Sequence, residues 1–213
     1  MISNKRDNWD GSFCHVLGLT GGIGTGKSTA AEYLVSKGFK HIDADAVARE
    51  LTADGSPVLQ ILANNFGDHI LDSEGCLDRK ALADIVFNDP VQKQKLDDIM
   101  FSRIGHIISE RIEDVSSIAE REDKPVYVLL DAPLLFEAGL DRLCDKVLLL
   151  TCDIDTRLDR VTERDDSSRE EVRARIRSQM SDEEKKKKAD FIVDNSGSIH
   201  ALRLQLDDIL MSP

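Results

Sequence analysis

Chemistry in this chain concentrates first in an octapeptide, Gly21-Gly22-Ile23-Gly24-Thr25-Gly26-Lys27-Ser28, which spells the G-x-x-x-x-G-K-[ST] pattern. Glycines at these positions let successive backbone N–H groups converge on an anion that side chains would obstruct. Lys27 can then reach the β- and γ-phosphates of a nucleoside triphosphate, and the Ser28 hydroxyl takes one position on Mg²⁺. A helix starting here turns its positive end toward the same phosphates. The implied chemistry is phosphoryl transfer. GTPases, ATPase motors and small-molecule kinases all carry such a cradle, so the pattern alone names no reaction. No N/T-K-x-D segment follows it, which counts against a reader of guanine.

Three further groups could take part. Ile42-Asp43-Ala44-Asp45 places two carboxylates where a short strand, residues 39–44, is expected to end. Residues two apart on a strand share a face. Asp45 is therefore either the N-cap of a following helix or a base that accepts a proton from an attacking hydroxyl. Arg160 and Arg164, four apart on an expected helix, share a face and could bridge phosphate oxygens. The bland alternative is surface ion pairing with Asp159, Glu163 or Asp165. Asp131 follows the apolar run 126–130, where P-loop enzymes carry the acid that supports Mg²⁺, and a purely structural role is the alternative.

Positioning these groups requires a framework of alternating strands and helices. The apolar runs 15–20 (HVLGLT), 126–130 (VYVLL) and 147–151 (VLLLT) read as buried strands, with 39–44 and 191–193 as shorter ones. Helical spacing follows the cradle over residues 27–37, with Gly38 placed to end it. Further helices are expected around 155–164 and 200–210. Ser168-Arg169-Glu170-Glu171 and Ser181-Asp182-Glu183-Glu184 fit the capping-box pattern and start two more. Between residues 45 and 121 the pattern is helical and charged, broken at Gly55-Ser56-Pro57, at 67–75 and at Asp89-Pro90; it is too long for a simple crossover. The run Lys185-Lys186-Lys187-Lys188 reads as a solvated helix face paired with residues 182–184. Strand–helix alternation implies a parallel sheet covered on both faces.

Bulk properties narrow the classes further. The 213 residues suit one compact domain, and the net charge of −12 argues against nucleic acid or anionic membrane as partners. No apolar run is long enough to span a bilayer, and the polar residues 1–11 read as a tail without a secretory h-region. Cys14, Cys76, Cys144 and Cys152 show no metal or redox spacing, which suits a reducing cytoplasm.

The order of these segments resembles the dephospho-CoA kinases, from about residue 16 to residue 210. The resemblance is carried by the cradle with Thr20 before it, by Asp43-Ala44-Asp45 with Ala48-Arg49, and by Phe66-Gly67. It continues through Gly75 with Leu77-Asp78-Arg79, and Leu82 with Val86-Phe87. Later matches are Pro133-Leu134-Leu135-Phe136-Glu137, Arg160, Arg164-Asp165, Arg175-Ile176, Gln179, Ala189-Asp190 and Asp194-Asn195. It implies an α/β P-loop three-layer fold with a five-stranded parallel sheet, a helical substrate-binding insertion and a helical lid. Residues 12–213 would form one kinase domain: core 12–44, 122–152 and 189–213, insertion 45–121, lid 153–188.

The implied reaction is ATP-dependent phosphorylation of the ribose 3′-hydroxyl of dephospho-CoA. A kinase for another small metabolite or nucleoside monophosphate is the nearest alternative, and a nucleotide-dependent switch the non-enzymatic one. The resemblance gives Asp45, Lys27 and Arg160 catalytic roles. It assigns ATP to Gly22, Gly24, Thr25, Gly26, Lys27, Ser28, Thr29, Arg160, Arg164 and Asn195. The acceptor goes to Thr20, Asp45, Arg49, Pro133 and Leu134, and Mg²⁺ to Ser28, with Asp131 behind it. No obligate protein partner is implied. One departure stands out: Phe101-Ser102 replaces the family's His-Pro, removing a ring nitrogen and a helix-shaping proline.

Overall fold

The computed structural model describes residues 13–87 and 89–211; the tail expected at 1–11 lies outside them. The chain divides into two compact units. One runs up to Ile42 and resumes at Arg111, and the other is Asp43–Glu110.

The first unit holds the sheet. Apolar runs with few turn residues form β1 (Cys14–Thr20), β3 (Val126–Asp131) and β4 (Lys146–Thr151), with shorter β2 (Lys40–Asp43) beginning in this unit and β5 (Phe191–Asp194). Their order is β2-β3-β1-β4-β5, all parallel. Leu17 pairs with Leu129 on one side of β1, and Leu19 with Leu148 on the other. The long central strands are buried along almost their whole length, as a parallel sheet demands. Because β1 is central and the chain crosses to opposite sides after it, its C-terminal end is the switch point where ligands bind in such sheets.

Helix α1 (Lys27–Ser36) leaves that point. It packs Ala30, Ala31 and Leu34 onto Leu17, Leu19, Leu129, Leu148 and Leu150, together with Leu202 and Leu206 of the closing helix, Ile199–Met211. The α1 C-cap is Lys37, with Gly38 beyond it at φ +98°. Helices α6 (Ile154–Asp165), α7 (Arg169–Arg177) and α8 (Asp182–Lys186) follow β4, and the closing helix is α9. Both expected capping boxes are formed, by Ser168 with Glu171 and by Ser181 with Glu184.

The second unit is helical: α2 (Ala44–Leu51), α3 (Pro57–Phe66), α4 (Arg79–Phe87) and the first part of α5 (Pro90–Glu122). Local signals write its boundaries. Ser56 accepts the Val58 N–H and Pro57 occupies the first turn of α3. The Asp89 carboxylate accepts the N–H groups of Val91 and Gln92 at 2.9 and 3.2 Å, where α5 begins. Phe101-Ser102 lies inside α5, which runs unbroken for 33 residues. A proline at 102 would have removed one of its i→i−4 bonds.

One expectation about β2 changes. The strand stops at Asp43, because Asp43 turns its carboxylate onto the N–H groups of Asp45 and Ala46 and starts α2. Asp43 and Asp45 therefore do not share a strand face.

Among the described residues all four cysteines are free thiols. Burial, aided by the charges of Asp141, Asp145 and Asp190, pushes Cys144 up to about 12.

Candidate active site

The cradle is built from β1 outward. Thr20 is fully buried and its hydroxyl donates to the Pro133 carbonyl at 3.3 Å. Beyond it the loop closes on itself: the Thr25 N–H and hydroxyl both reach the Gly22 carbonyl, at 3.2 and 2.9 Å. Gly26 is the N-cap of α1 at φ +86°, ψ +25°, and no side chain caps the helix. The N–H groups of that first turn thus keep their orientation for an anion.

Two glycines are set by close approach, and Gly26 by its left-handed conformation as well. A Cβ on Gly26 would run into the Asn195 side-chain amide and lie 3.6 Å from an Arg160 guanidinium nitrogen; a Cβ on Gly22 would run into the guanidinium of Arg157. These neighbours clasp the loop through its backbone. Asn195, itself buried, donates to the Thr25 carbonyl at 2.8 Å. The Ile23 N–H donates to Gln179 Oε1 at 3.1 Å, and its carbonyl accepts from Arg157 Nε at 2.9 Å.

Lys27 pairs with the buried carboxylate of Asp131 at the end of β3. His41 Nε2 lies 3.3 Å from the other oxygen of that carboxylate. Asp131 thus holds the cradle lysine directly. Ser28 is exposed on the first turn of α1. The Ser28 hydroxyl and the Asp131 carboxylate are hard oxygen donors, the type Mg²⁺ takes, so the residues present fit that ion. Among the described residues no group of three His, Cys, Asp or Glu side chains could hold a metal.

The arginines of α6 divide. Arg160 turns inward, donating to the Asn195 carbonyl at 3.0 Å and to Cys152 Sγ at 3.5 Å. Arg164 turns outward to Asp165, making the exposed pair of the bland alternative. Arg157, absent from the expected site, is 4% exposed; besides Ile23 it binds Asp182 at 3.0 Å. A signal for it existed, since it shares the apolar stripe of α6 with Leu158 and Val161.

The lysine run needs a correction. Lys185 is completely buried rather than solvated, pairing with Glu137 at 3.1 Å and donating to the Pro133 carbonyl at 3.0 Å. The Ser181 cap sets the helix phase and turns this one lysine of the four inward; the charge run concealed it.

The structure therefore gathers Thr20, the cradle, Asp131, Pro133, Arg160 and Asn195 at one end of the sheet in the first unit. Leu134 follows Pro133, half-buried. Asp45 and Arg49 belong to the second unit, both exposed on α2. The cap role falls to Asp43, and Arg49 reaches the second Asp43 oxygen at 3.4 Å. His41, Arg157, Gln179 and Lys185 are the participants that motif reading did not place in the site. A literal N-K-x-D, Asn4-Lys5-Arg6-Asp7, precedes the cradle rather than following it and lies outside the described residues.

Comparison with known proteins bears on the same residues. A family model described as dephospho-CoA kinase matches residues 15–201, taking in the cradle, both units and the Asn195 turn. This chain belongs to the dephospho-CoA kinase family. The dephospho-CoA kinase of Fusobacterium nucleatum is 40% identical over 187 residues, covering 88% of this chain and 92% of that protein. The dephospho-CoA kinase of Idiomarina loihiensis is 40% identical over 195 residues, covering 92% and 93%. Among solved structures, TT1252 from Thermus thermophilus has a TM-score of 0.74 at 34% identity, covering 92% of this chain and 96% of that one. The dephospho-CoA kinase from Campylobacter jejuni has a TM-score of 0.65 at 32% identity with the same coverage. The expected fold class and family are thereby established, and the chain is a kinase of the dephospho-CoA kinase family.

Proposed function

We propose that this chain transfers the γ-phosphoryl group of ATP to the ribose 3′-hydroxyl of dephospho-CoA, giving CoA and ADP, as the last step of CoA biosynthesis in the cytoplasm. The observation that carries this reading is the family match across residues 15–201 together with a complete phosphate cradle.

The chain's own residues divide the work. Gly22, Gly24, Thr25, Gly26 and Thr29 present the backbone of the cradle and of the first turn of α1 to the phosphates. Lys27 exchanges Asp131 for the β- and γ-phosphates, which spread its charge over the transferring group. Arg160, already held near Gly26, stabilises charge as it moves to the leaving oxygen, and Arg164, paired with Asp165 in the free chain, gives up that pair to join it. Asn195 fixes the turn beside adenine. Mg²⁺, when bound, neutralises phosphate charge, and Ser28 would hold it directly, with Asp131 acting through a water.

On the acceptor side, Thr20, Arg49, Pro133 and Leu134 orient dephospho-CoA. The ribose 3′-oxygen attacks the γ-phosphorus and forms the new O–P bond as the bond to the β-phosphate oxygen breaks. The hydroxyl proton passes to the Asp45 carboxylate. Two features support Asp45: Asp43 takes the cap role, and Asp45 stays exposed on the first turn of α2. In this reading residues 12–213 act as one kinase domain, with core 12–44, 122–152 and 189–213, insertion 45–121, and a lid, 153–188, that excludes water.

The test is Asp45→Asn. A general base contributes roughly 10²–10⁴-fold, so kcat should fall by about that factor while ATP binding, followed by titration calorimetry, stays within about twofold. Unchanged kcat would remove Asp45 from the chemistry.

A further inference from the structure

Helix α8 is only five residues long, yet it carries two buried or half-buried charges that point to different parts of the site. Asp182, at its first position, binds Arg157 at 3.0 Å, and Arg157 in turn holds the Ile23 carbonyl of the cradle. Lys185, three residues on and so on the same helical face, is completely buried and reaches Glu137 and the Pro133 carbonyl. Pro133 also accepts from Thr20, the last residue before the cradle. The contacts form a closed circuit: cradle to Arg157, to α8, to the 133–137 turn, and back to the base of the cradle.

Energetics favour a positional role over a stabilising one. A fully buried ammonium is costly to desolvate, and a buried ion pair seldom outdoes apolar residues of similar volume. Glu137 uses Oε1 for both Lys185 and the Met180 N–H, while its Oε2 is buried with no hydrogen-bond partner among the described residues. An arrangement kept at such cost earns its place by holding specific groups in register. Apolar side chains could not fix the Pro133 carbonyl, the Met180 backbone and the Arg157 guanidinium at once. The capping box and the Lys185 N–H bond to the Ser181 carbonyl at 3.0 Å close the single turn that carries both Asp182 and Lys185.

The geometry points to Asp182 and Lys185 as a positioning pair that makes α8 a strut between the ATP cradle and the 133–137 turn. With that turn on the acceptor side, as in the function proposed above, the strut sets the distance between donor and acceptor. Neither residue touches substrate. Asp182 acts through Arg157, and Lys185 through Pro133 and Glu137.

The experiment uses the full chain with Asp182→Asn, Lys185→Met and the double variant. Amide exchange at Ile23 is read by NMR without any acceptor present, and steady-state kinetics are measured with dephospho-CoA. The strut predicts faster exchange at Ile23, by roughly tenfold, in Lys185→Met as well as in Asp182→Asn, although Lys185 contacts no cradle residue. It also predicts a kcat loss of roughly ten- to a hundredfold, as displacement of reacting groups produces, with the double variant no worse than the worse single one. Should Lys185→Met fail to fold, Glu137→Leu removes the oxygen shared by Lys185 and the Met180 N–H and carries the same predictions. Ile23 exchange unchanged by Lys185→Met or its substitute, or losses that multiply in the double variant, would overturn the strut. The exchange result stands whether or not the wild type turns over dephospho-CoA, so failure of the acceptor assignment is read separately from failure of the strut.

Discussion

The two units of this chain hold their functional residues by opposite means. In the first, the contacts that shape the cradle join residues far apart in sequence: Lys27 with Asp131, Ile23 with Gln179 and Arg157, Thr25 with Asn195. In the second, the carboxylates and hydroxyls that begin helices act on neighbours two or three residues away. Asp43, Ser56, Asp78 and Asp89 each accept N–H groups of the turn that follows. A phosphate cradle demands exact placement of backbone N–H groups, and only a folded sheet end can supply it. A helical insertion needs only its helices to begin in the right places, which short side chains manage locally.

The sharpest way to break the comparison is Gly26→Ala. Left-handed strain alone costs roughly 1–3 kcal/mol, and the methyl would also strike the Asn195 amide. Nucleotide binding by calorimetry should be lost, while helix content by circular dichroism survives. Retained binding would mean that the clasp around the cradle yields easily.

A paired prediction follows. Asn195→Ala leaves the Thr25 carbonyl without its donor and should cost about 1–3 kcal/mol in urea unfolding, with weakened ATP binding. Ser56→Ala removes only a local cap and should cost about 1 kcal/mol, leaving ATP binding unchanged. Equal effects on ATP binding would erase the distinction between the units.

The smallest effect is in acid. Hydrogen bonds from Ser168 and Ser181 hold Glu171 and Glu184 below the usual carboxylate range, and the Thr156 contacts do the same for Asp153. A carboxyl lowered by folding contributes stability above its unfolded value, near 4.5 for Glu and 3.8 for Asp, and loses it as pH falls through the folded value. Limited proteolysis within 153–188 should therefore accelerate modestly as pH falls below about 4.5, before the sheet opens. Simultaneous loss of both would assign acid sensitivity to the whole fold.

This contrast also explains what could be read in advance. The cradle was legible because its chemistry dictates residue types at fixed spacing, and β1, β3 and β4 because buried parallel strands are apolar throughout. Both capping boxes were legible because a box is written within four consecutive residues. Arg157 and Lys185 were not, since each is a charged residue whose partners lie elsewhere in the chain: Ile23 lies 134 residues from Arg157, and Pro133 52 from Lys185. Asp43 and Asp45 could not be told apart as cap and candidate base until the end of β2 was known, because Asp suits either position. The acceptor was legible only through the resemblance, since nothing in the spacing of Pro133 or Arg49 spells dephospho-CoA.

The central claim is tested most directly by initial-rate measurement of ADP release at saturating Mg·ATP with dephospho-CoA, AMP, CMP and pantothenate as separate acceptors. The account predicts ADP release with dephospho-CoA, matched mole for mole by CoA carrying a 3′-phosphate, and background rates with the others. Background rates with dephospho-CoA, alongside turnover of a nucleoside monophosphate or of none, would contradict it.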